Sequence, residues 1–434
     1  MAKILIHSLI FSPDCVSTAY LYTDLAIELK KLGHKVAVLT TTPHFNVDRE
    51  QQKRQPLIQK RGQWLFYSEV DGIPVWHIAM PQKSADSGAR MRHMFFFHVG
   101  ALRFALQHVG KYDVVLSPSP PLTIGAISWL IAKWYKAKSI YNVQELYPDF
   151  AINQGVIRNP FLIWGLRKLE AFVYARSERV VTIGEKFREV VVSRGASRGK
   201  VHTIPNFVDV DLYRPMPRDN PFARQHGLVG RFVVMYAGNI GLAQYWDPML
   251  EAAERTRTEV LFVVIGNGSR KDWLAKEVSR RGLSNILLLD YQPRERMAEI
   301  NASSDVATII MDARVEDDGF PSKIYTTMAC ARPSVVCCSE GSELVRIVRE
   351  SKCGMWAKPG QTGDYIDALM VYRKDPNRIA TEGGAGRAFV AGRYSRQVVS
   401  RLYHEMIQDV VGSRGDQDLV AANEVPRTTT RLHR

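Results

Sequence analysis

Short apolar runs alternate with longer amphipathic stretches along nearly the whole chain, the pattern of a parallel α/β sheet with helices packed on it. In the first half, Lys3–Leu9, Lys35–Thr41, Val75–Ala79, Asp113–Leu116, Ser139–Val143, Val180–Ile183 and Val201–Ile204 read as strands. Thr18–Leu32 reads as a helix, and Gly33 stands where a left-handed C-cap belongs. A second series begins after the polar, proline-bearing stretch Tyr213–Pro221. Its strands are Phe232–Ala237, Val260–Ile265, Ile286–Leu289, Val306–Met311 and Val335–Cys338. The pattern predicts two doubly wound α/β domains, residues 1–213 and 222–393, facing one another across a cleft. Residues 394–412 read as a helix placed to pack back on the first domain. Residues 413–434 are polar and lack periodicity, and are expected to be disordered.

Bulk properties narrow the classes. A chain of 434 residues is too long for one core. Its five cysteines form no CxxC pair and no metal-ligand spacing, so buried, reduced thiols are expected. The strand Lys3–Leu9 follows the N-terminus directly, and export is not expected. No apolar stretch reaches the ~20 residues that span a bilayer. The net charge of +14 admits nucleic acid or an anionic membrane as partner. Without zinc-finger spacing, an RNP-like motif or a long Lys/Arg block, nucleic acid is not expected. The segment Arg90–Val99 mixes cations with aromatic residues and suits a lipid interface, or a helix on the core with a basic outer face.

Five stretches lie just after strand ends, where ligands bind such sheets. Ser12–Thr18 opens a helix, and Ser17 and Thr18 suit either holding an acceptor or a phosphate, or a helix N-cap. Asn142–Asp149 brings Gln144, Glu145 and Asp149 into a proline-stiffened loop fit for binding hydroxyls or for proton transfer, or simply solvated. Tyr236–Gln244 carries Gly238, Asn239, Gly241 and Gln244, with glycines that let backbone approach a diphosphate or merely turn the chain. Gly266-Asn267-Gly268 is a G-x-G and not a dinucleotide fingerprint. Asp318–Val336 runs from an acidic, glycine-bearing loop into a helix bearing Ser322, Lys323 and Thr326. A carboxylate, backbone N–H groups and an ammonium at one helix start fit a ligand with both hydroxyls and phosphates.

In this order the motifs resemble the family 4 retaining glycosyltransferases of GT-B fold. The resemblance rests on Lys31–Thr40, Ile204–Asp209, Gly266–Gly268, Leu289–Pro293, Ala302–Val306 and Met328–Pro333. Pro321-Ser322-Lys323, Gly238–Gly241 and Val143–Asp149 are most similar to a bacterial branch that makes exopolysaccharide, O-antigen and colanic-acid-type glycans. The resemblance implies a nucleotide-sugar donor in the second domain, UDP-linked as a family expectation and not from any base-recognition residue. It implies a lipid-linked saccharide acceptor in the first, retention without an enzyme nucleophile, and no metal or other cofactor. Asp318, Lys323 and Glu145 take the catalytic places, and Gly238, Asn239, Gly241, Gln244, Gly266, Asn267, Gly268, Ser322, Lys323 and Thr326 the donor-binding ones. Ser17, Thr18, Gln144 and Asp149 fall to the acceptor. With residues 90–103 on anionic lipid, the enzyme would work at the inner face of the cytoplasmic membrane.

Two departures from the family pattern stand out. Where the family has two glutamates eight positions apart, this chain has Asp318, flanked by Glu316 and Asp317, and Thr326. Where many relatives have an arginine and a lysine, it has Asn239 and Gln244, a loss of roughly 1–3 kcal/mol per charge-assisted phosphate contact. Lys323 is placed to replace one cation. The rival readings are a non-hydrolysing sugar-nucleotide epimerase of the same fold, and a catalytically silent subunit of a glycan-assembly complex.

Overall fold

The computed structural model describes residues 1–45, 48–81, 87–108, 110–312 and 320–423. The first sheet contains β1 (Lys3–His7), β2 (Lys35–Thr41), β3 (Ile58–Arg61), β4 (Leu65–Val70), β5 (Ile73–Ile78), β6 (Val114–Pro118), β7 (Lys138–Val143), β8 (Arg179–Thr182) and β9 (Val201–Thr203). Their order is β3-β4-β5-β2-β1-β6-β7-β8-β9. The β1 residues Ile4, Leu5 and Ile6 are wholly buried, as a central parallel strand covered on both faces requires.

The second sheet contains β10 (Val233–Ala237), β11 (Leu261–Ile265), β12 (Ile286–Leu289), β13 (Val306–Ile310), β14 (Ser334–Cys337) and β15 (Gly354–Ala357). The order is β12-β11-β10-β13-β14-β15, with parallel pairing throughout. The chain reverses its direction of travel across the sheet between β10 and β13, and ligands favour that point in open α/β sheets. Val234, Tyr236, Phe262 and Val264 face helices Asp247–Arg255 and Thr362–Lys374 in one core layer.

Every expected strand is present, and three more were not anticipated. The fully exposed β3 shows no apolar alternation to find. The antiparallel β4–β5 hairpin turns at Asp71 and Gly72, both with positive φ, so its Asp-Gly signal was there to be read. The four-residue β15 is too short to show a period.

The chain packs as two compact units, residues 1–142, 172–180 and 400–434, and residues 143–171 and 181–399. The proline-bearing stretch around 214–222 lies inside the second unit. Arg218 there binds Asp305 at 3.1 Å and the Arg231 carbonyl at 3.0 Å. Arg396 pairs with Asp209 at 2.9 Å in the same unit.

The helix Arg396–Asn423 enters the first unit at Ser400. There Tyr403 accepts a hydrogen bond from the Asn142 amide, His404 meets His34 at 2.9 Å, and Asp409 pairs with Arg179 at 2.7 Å. Residues 413–423, expected to be disordered, continue this helix, in keeping with helix formers such as Leu419, Ala421 and Ala422. The remainder of that expected tail lies outside the described residues.

Removing the Tyr403 hydroxyl takes away the acceptor of the buried Asn142 amide. Tyr403→Phe should therefore cost about 1–2 kcal/mol, read from the urea midpoint at unchanged m-value.

Candidate active site

The site grows from the C-terminal ends of β10 and β11. Beyond them the loops Gly238–Gly241 and Gly266–Gly268 lie backbone to backbone. Gly238 N–H donates to the Ile265 carbonyl at 2.9 Å, Ile240 N–H to Asn267 at 2.9 Å, and Arg270 N–H to Ile240 at 2.9 Å. Gly238, Gly266 and Gly268 all have φ near +150°, a region that side chains rarely allow. A Cβ on Gly266 would overlap the Gly238 carbonyl, and one on Gly268 the Ile240 carbonyl. The glycines are thus needed to close the loops on each other.

Lys323 reaches into this frame from the start of the helix Lys323–Ala329. A Cβ on Gly238 would stand 2.8 Å from its Nζ. The ammonium lies over the Tyr236 ring, 3.7 Å from the centroid. Tyr236 is fully buried, packs edge-on against Trp246, and donates its hydroxyl to the Asn239 carbonyl at 2.6 Å. The Lys323 residue is half-buried, but protein atoms crowd its ammonium, and that desolvation pulls its pKa down to about 7. Among the described residues no carboxylate pairs with it. An ammonium so placed attracts an anionic ligand.

Neighbouring expectations fare differently. Lys323 and Thr326 line a cavity of about 110 Å³ whose floor is Met235 and Ala237 of β10 and Ala307 and Ile309 of β13. The helix start offers fewer donors than expected, because the N–H groups of Ser322, Ile324 and Tyr325 already bind backbone carbonyls. Ser322 makes no side-chain cap. Gly241 N–H, expected at a diphosphate, donates instead to Gln244 Oε1 at 2.8 Å. Asn267 Oδ1 accepts from Lys271, which also pairs with Asp290. Asn239 is exposed, with its side chain beside Gly241 and Gly268. Asp318, with Glu316 and Asp317, lies outside the described residues.

The other candidates also separate. Burial pushes the Glu145 carboxyl up to about 7. Asp149 is gripped by Arg167 and Arg194, and Arg194 also binds Glu170 at 2.8 Å, so this carboxylate anchors its loop. Gln144 Oε1 accepts from Asn206 at 2.8 Å. Val16, not Ser17 or Thr18, occupies the N-cap of the helix Ser17–Lys31, with no side-chain cap bond, which removes the capping explanation for both hydroxyls. Asp14 was missed, although it sits in the Ser12–Thr18 stretch. It is buried, accepts N–H bonds from His44 at 2.9 Å and Phe45 at 2.7 Å, and is pushed up to about 7 chiefly by burial. Tyr236 was passed over beside its glycines; its position at the last but one residue of a buried strand was the available signal. Among the described residues no group of three or more His, Cys, Asp or Glu is disposed to hold a metal ion.

Residues 19–206 match the glycosyl transferase 4-like domain, and residues 226–375 match glycosyl transferases group 1. The chain is 23% identical over 354 residues to the putative colanic acid biosynthesis glycosyl transferase WcaI of Escherichia coli, covering 79% of this chain and 84% of that protein. It is 28% identical over 294 residues to the probable glycosyltransferase WbjE of Pseudomonas aeruginosa, covering 66% and 72%. Among solved structures, Anabaena Alr3699/HepE in complex with UDP and glucose superposes with a TM-score of 0.71 at 14% identity, covering 94% of this chain and 100% of that one. Sucrose-phosphate synthase from Thermosynechococcus elongatus gives 0.74 at 13%, covering 95% and 100%. With both halves matched in order on two Rossmann-like α/β sheets, the chain belongs to the family 4 glycosyltransferases of GT-B fold.

Proposed function

We propose that this glycosyltransferase moves a hexose or N-acetylated amino sugar from a UDP-linked donor to a lipid-linked glycan during assembly of a bacterial cell-surface polysaccharide, with retention of configuration. The observation that carries the reading is the Lys323 ammonium, crowded by protein and lacking a carboxylate partner among the described residues. When the sugar–phosphate bond breaks, negative charge grows on the departing diphosphate, and a preset cation in a poorly hydrated site stabilises it strongly. Glu145, near 7, suits proton exchange with an acceptor hydroxyl at neutral pH. The colanic acid role in the name of WcaI and the UDP in the HepE complexes support the glycan class and the nucleotide.

The membrane side of the reading rests on the first unit. The helix Ser87–Gln107 exposes Met91, Phe95, Phe96, Val99 and Leu106 beside Arg92. His98 binds Thr123 at 2.8 Å, joining it to the helix Leu122–Tyr135, which exposes Leu130 and Trp134 beside Lys133. Apolar and basic groups on one pair of helices suit the interface of an anionic leaflet. No helix among the described residues is long and apolar enough to cross a membrane.

The direct test is incubation with UDP-sugars and lipid-linked saccharides. Transfer supports the proposal, whereas isomerisation of a donor offered alone would favour an epimerase. Lys323→Met should weaken UDP by about 10–100-fold, the worth of one charge-assisted contact, in titration calorimetry. The same substitution should raise the melting temperature of the ligand-free protein. The native pKa is about 7 against an ordinary 10.5, so the charged form is penalised on folding. That penalty is complete below about pH 7 and fades as pH rises towards the unfolded value.

Donor affinity should show the mirror dependence. Only the protonated lysine attracts phosphate, so UDP affinity should fall as pH rises from about 7.5 to 9, by at most about tenfold per unit. Lys323→Met should flatten that profile. On the membrane face, Phe95→Ser with Phe96→Ser should reduce sedimentation with phosphatidylglycerol vesicles at low salt severalfold while leaving UDP affinity unchanged.

A further inference from the structure

A second and larger cavity, of about 540 Å³, opens in the same unit at the C-terminal edges of β10 and β13. That volume is within the ~300–1,000 Å³ typical of small-molecule sites. Its walls include Tyr245, Trp246, Trp273, Arg270, Asp247 and Asp312. Arg270 already lies over the Trp273 ring, 5.0 Å from the centroid. Trp246 is 3% exposed, and its indole N–H has no acceptor among the described residues. Burial, and then the carboxylates of Asp247 and Glu251, push the pKa of the Tyr245 phenol upward.

The charges argue against a second phosphate site. Two carboxylates and one guanidinium line the cavity, and that guanidinium is engaged with an aromatic ring. A phosphate would meet net repulsion here, unlike beside Lys323. A neutral saccharide meets no such cost. Its hydroxyls donate to carboxylates, its ring oxygens accept from Tyr245 or Arg270, and its C–H faces cover aromatic rings. The geometry points to a saccharide-binding subsite, walled by Tyr245, Trp246 and Trp273 with Asp247 and Asp312, that holds part of the glycan this enzyme extends. The inference rests on the glycosyltransferase reading and adds to it a hold on sugars other than the one transferred.

The test uses the full-length protein with neutral oligosaccharides, namely maltotetraose, cellotetraose and chitotetraose, followed by saturation-transfer NMR and tryptophan fluorescence. At least one should bind in the millimolar range or tighter. Trp273→Ala and Tyr245→Ala should each weaken it at least tenfold while UDP affinity stays within twofold. Circular dichroism establishes that both variants fold. Absence of binding by all three sugars, binding indifferent to both substitutions, or displacement of the sugar by UDP would overturn the subsite. If UDP fails to bind the unaltered protein, the donor reading itself fails, a result separate from any of these.

Discussion

An ammonium held against the face of Tyr236 organises the second unit. Lysine side chains ordinarily keep their charge in water, and burying one without an anion is expensive. Here the aromatic face returns part of the lost hydration, and desolvation lowers the pKa to about 7 for the remainder. The same tyrosine ties its hydroxyl to the Asn239 carbonyl and its ring to Trp246. Core, glycine loop and cation are thereby fixed by one residue. The ammonium is presented at the strand edge where the chain order of the sheet reverses, the place where such folds bind their ligands.

The same arrangement bears on the two cations that the resemblance led one to expect at Asn239 and Gln244. Gln244 uses its side-chain oxygen to hold the Gly241 N–H, so it shapes the loop and does not supply charge. The first turn beside Lys323 spends its N–H groups on local carbonyls. Under the proposed function, the attraction for phosphate falls largely to Lys323, whose pKa is lowered to about 7. On that reading one cation would bind the ground state more weakly than several, and its contribution would count most as charge develops on the leaving group.

The parallel strands and their order of motifs were plain in the sequence, because buried strands such as Ile4–Ile6 and Val233–Tyr236 are continuous apolar runs. Lys323 was legible from its place after a proline-bearing loop. That no carboxylate pairs with it among the described residues was not, since that depends on which side chains of distant segments, Tyr236 among them, come to surround it. Asp149 shows the opposite failure. Its loop position suggested ligand binding, while Arg167 and Arg194, 18 and 45 positions away in sequence, claim it for structure. Local spacing reveals strands, turns and loop chemistry; it cannot reveal which distant side chain arrives to occupy a carboxylate.

The closure of the two glycine loops has an evolutionary consequence. Their shape is set by main-chain hydrogen bonds and by the absence of Cβ atoms at Gly266 and Gly268. The exposed Asn239 lays its side chain beside Gly241 and Gly268, so that side chain also lies within the frame. Because main-chain bonds and missing Cβ atoms set the frame, the two glycines are far less free to change over a lineage than the exposed residues around them.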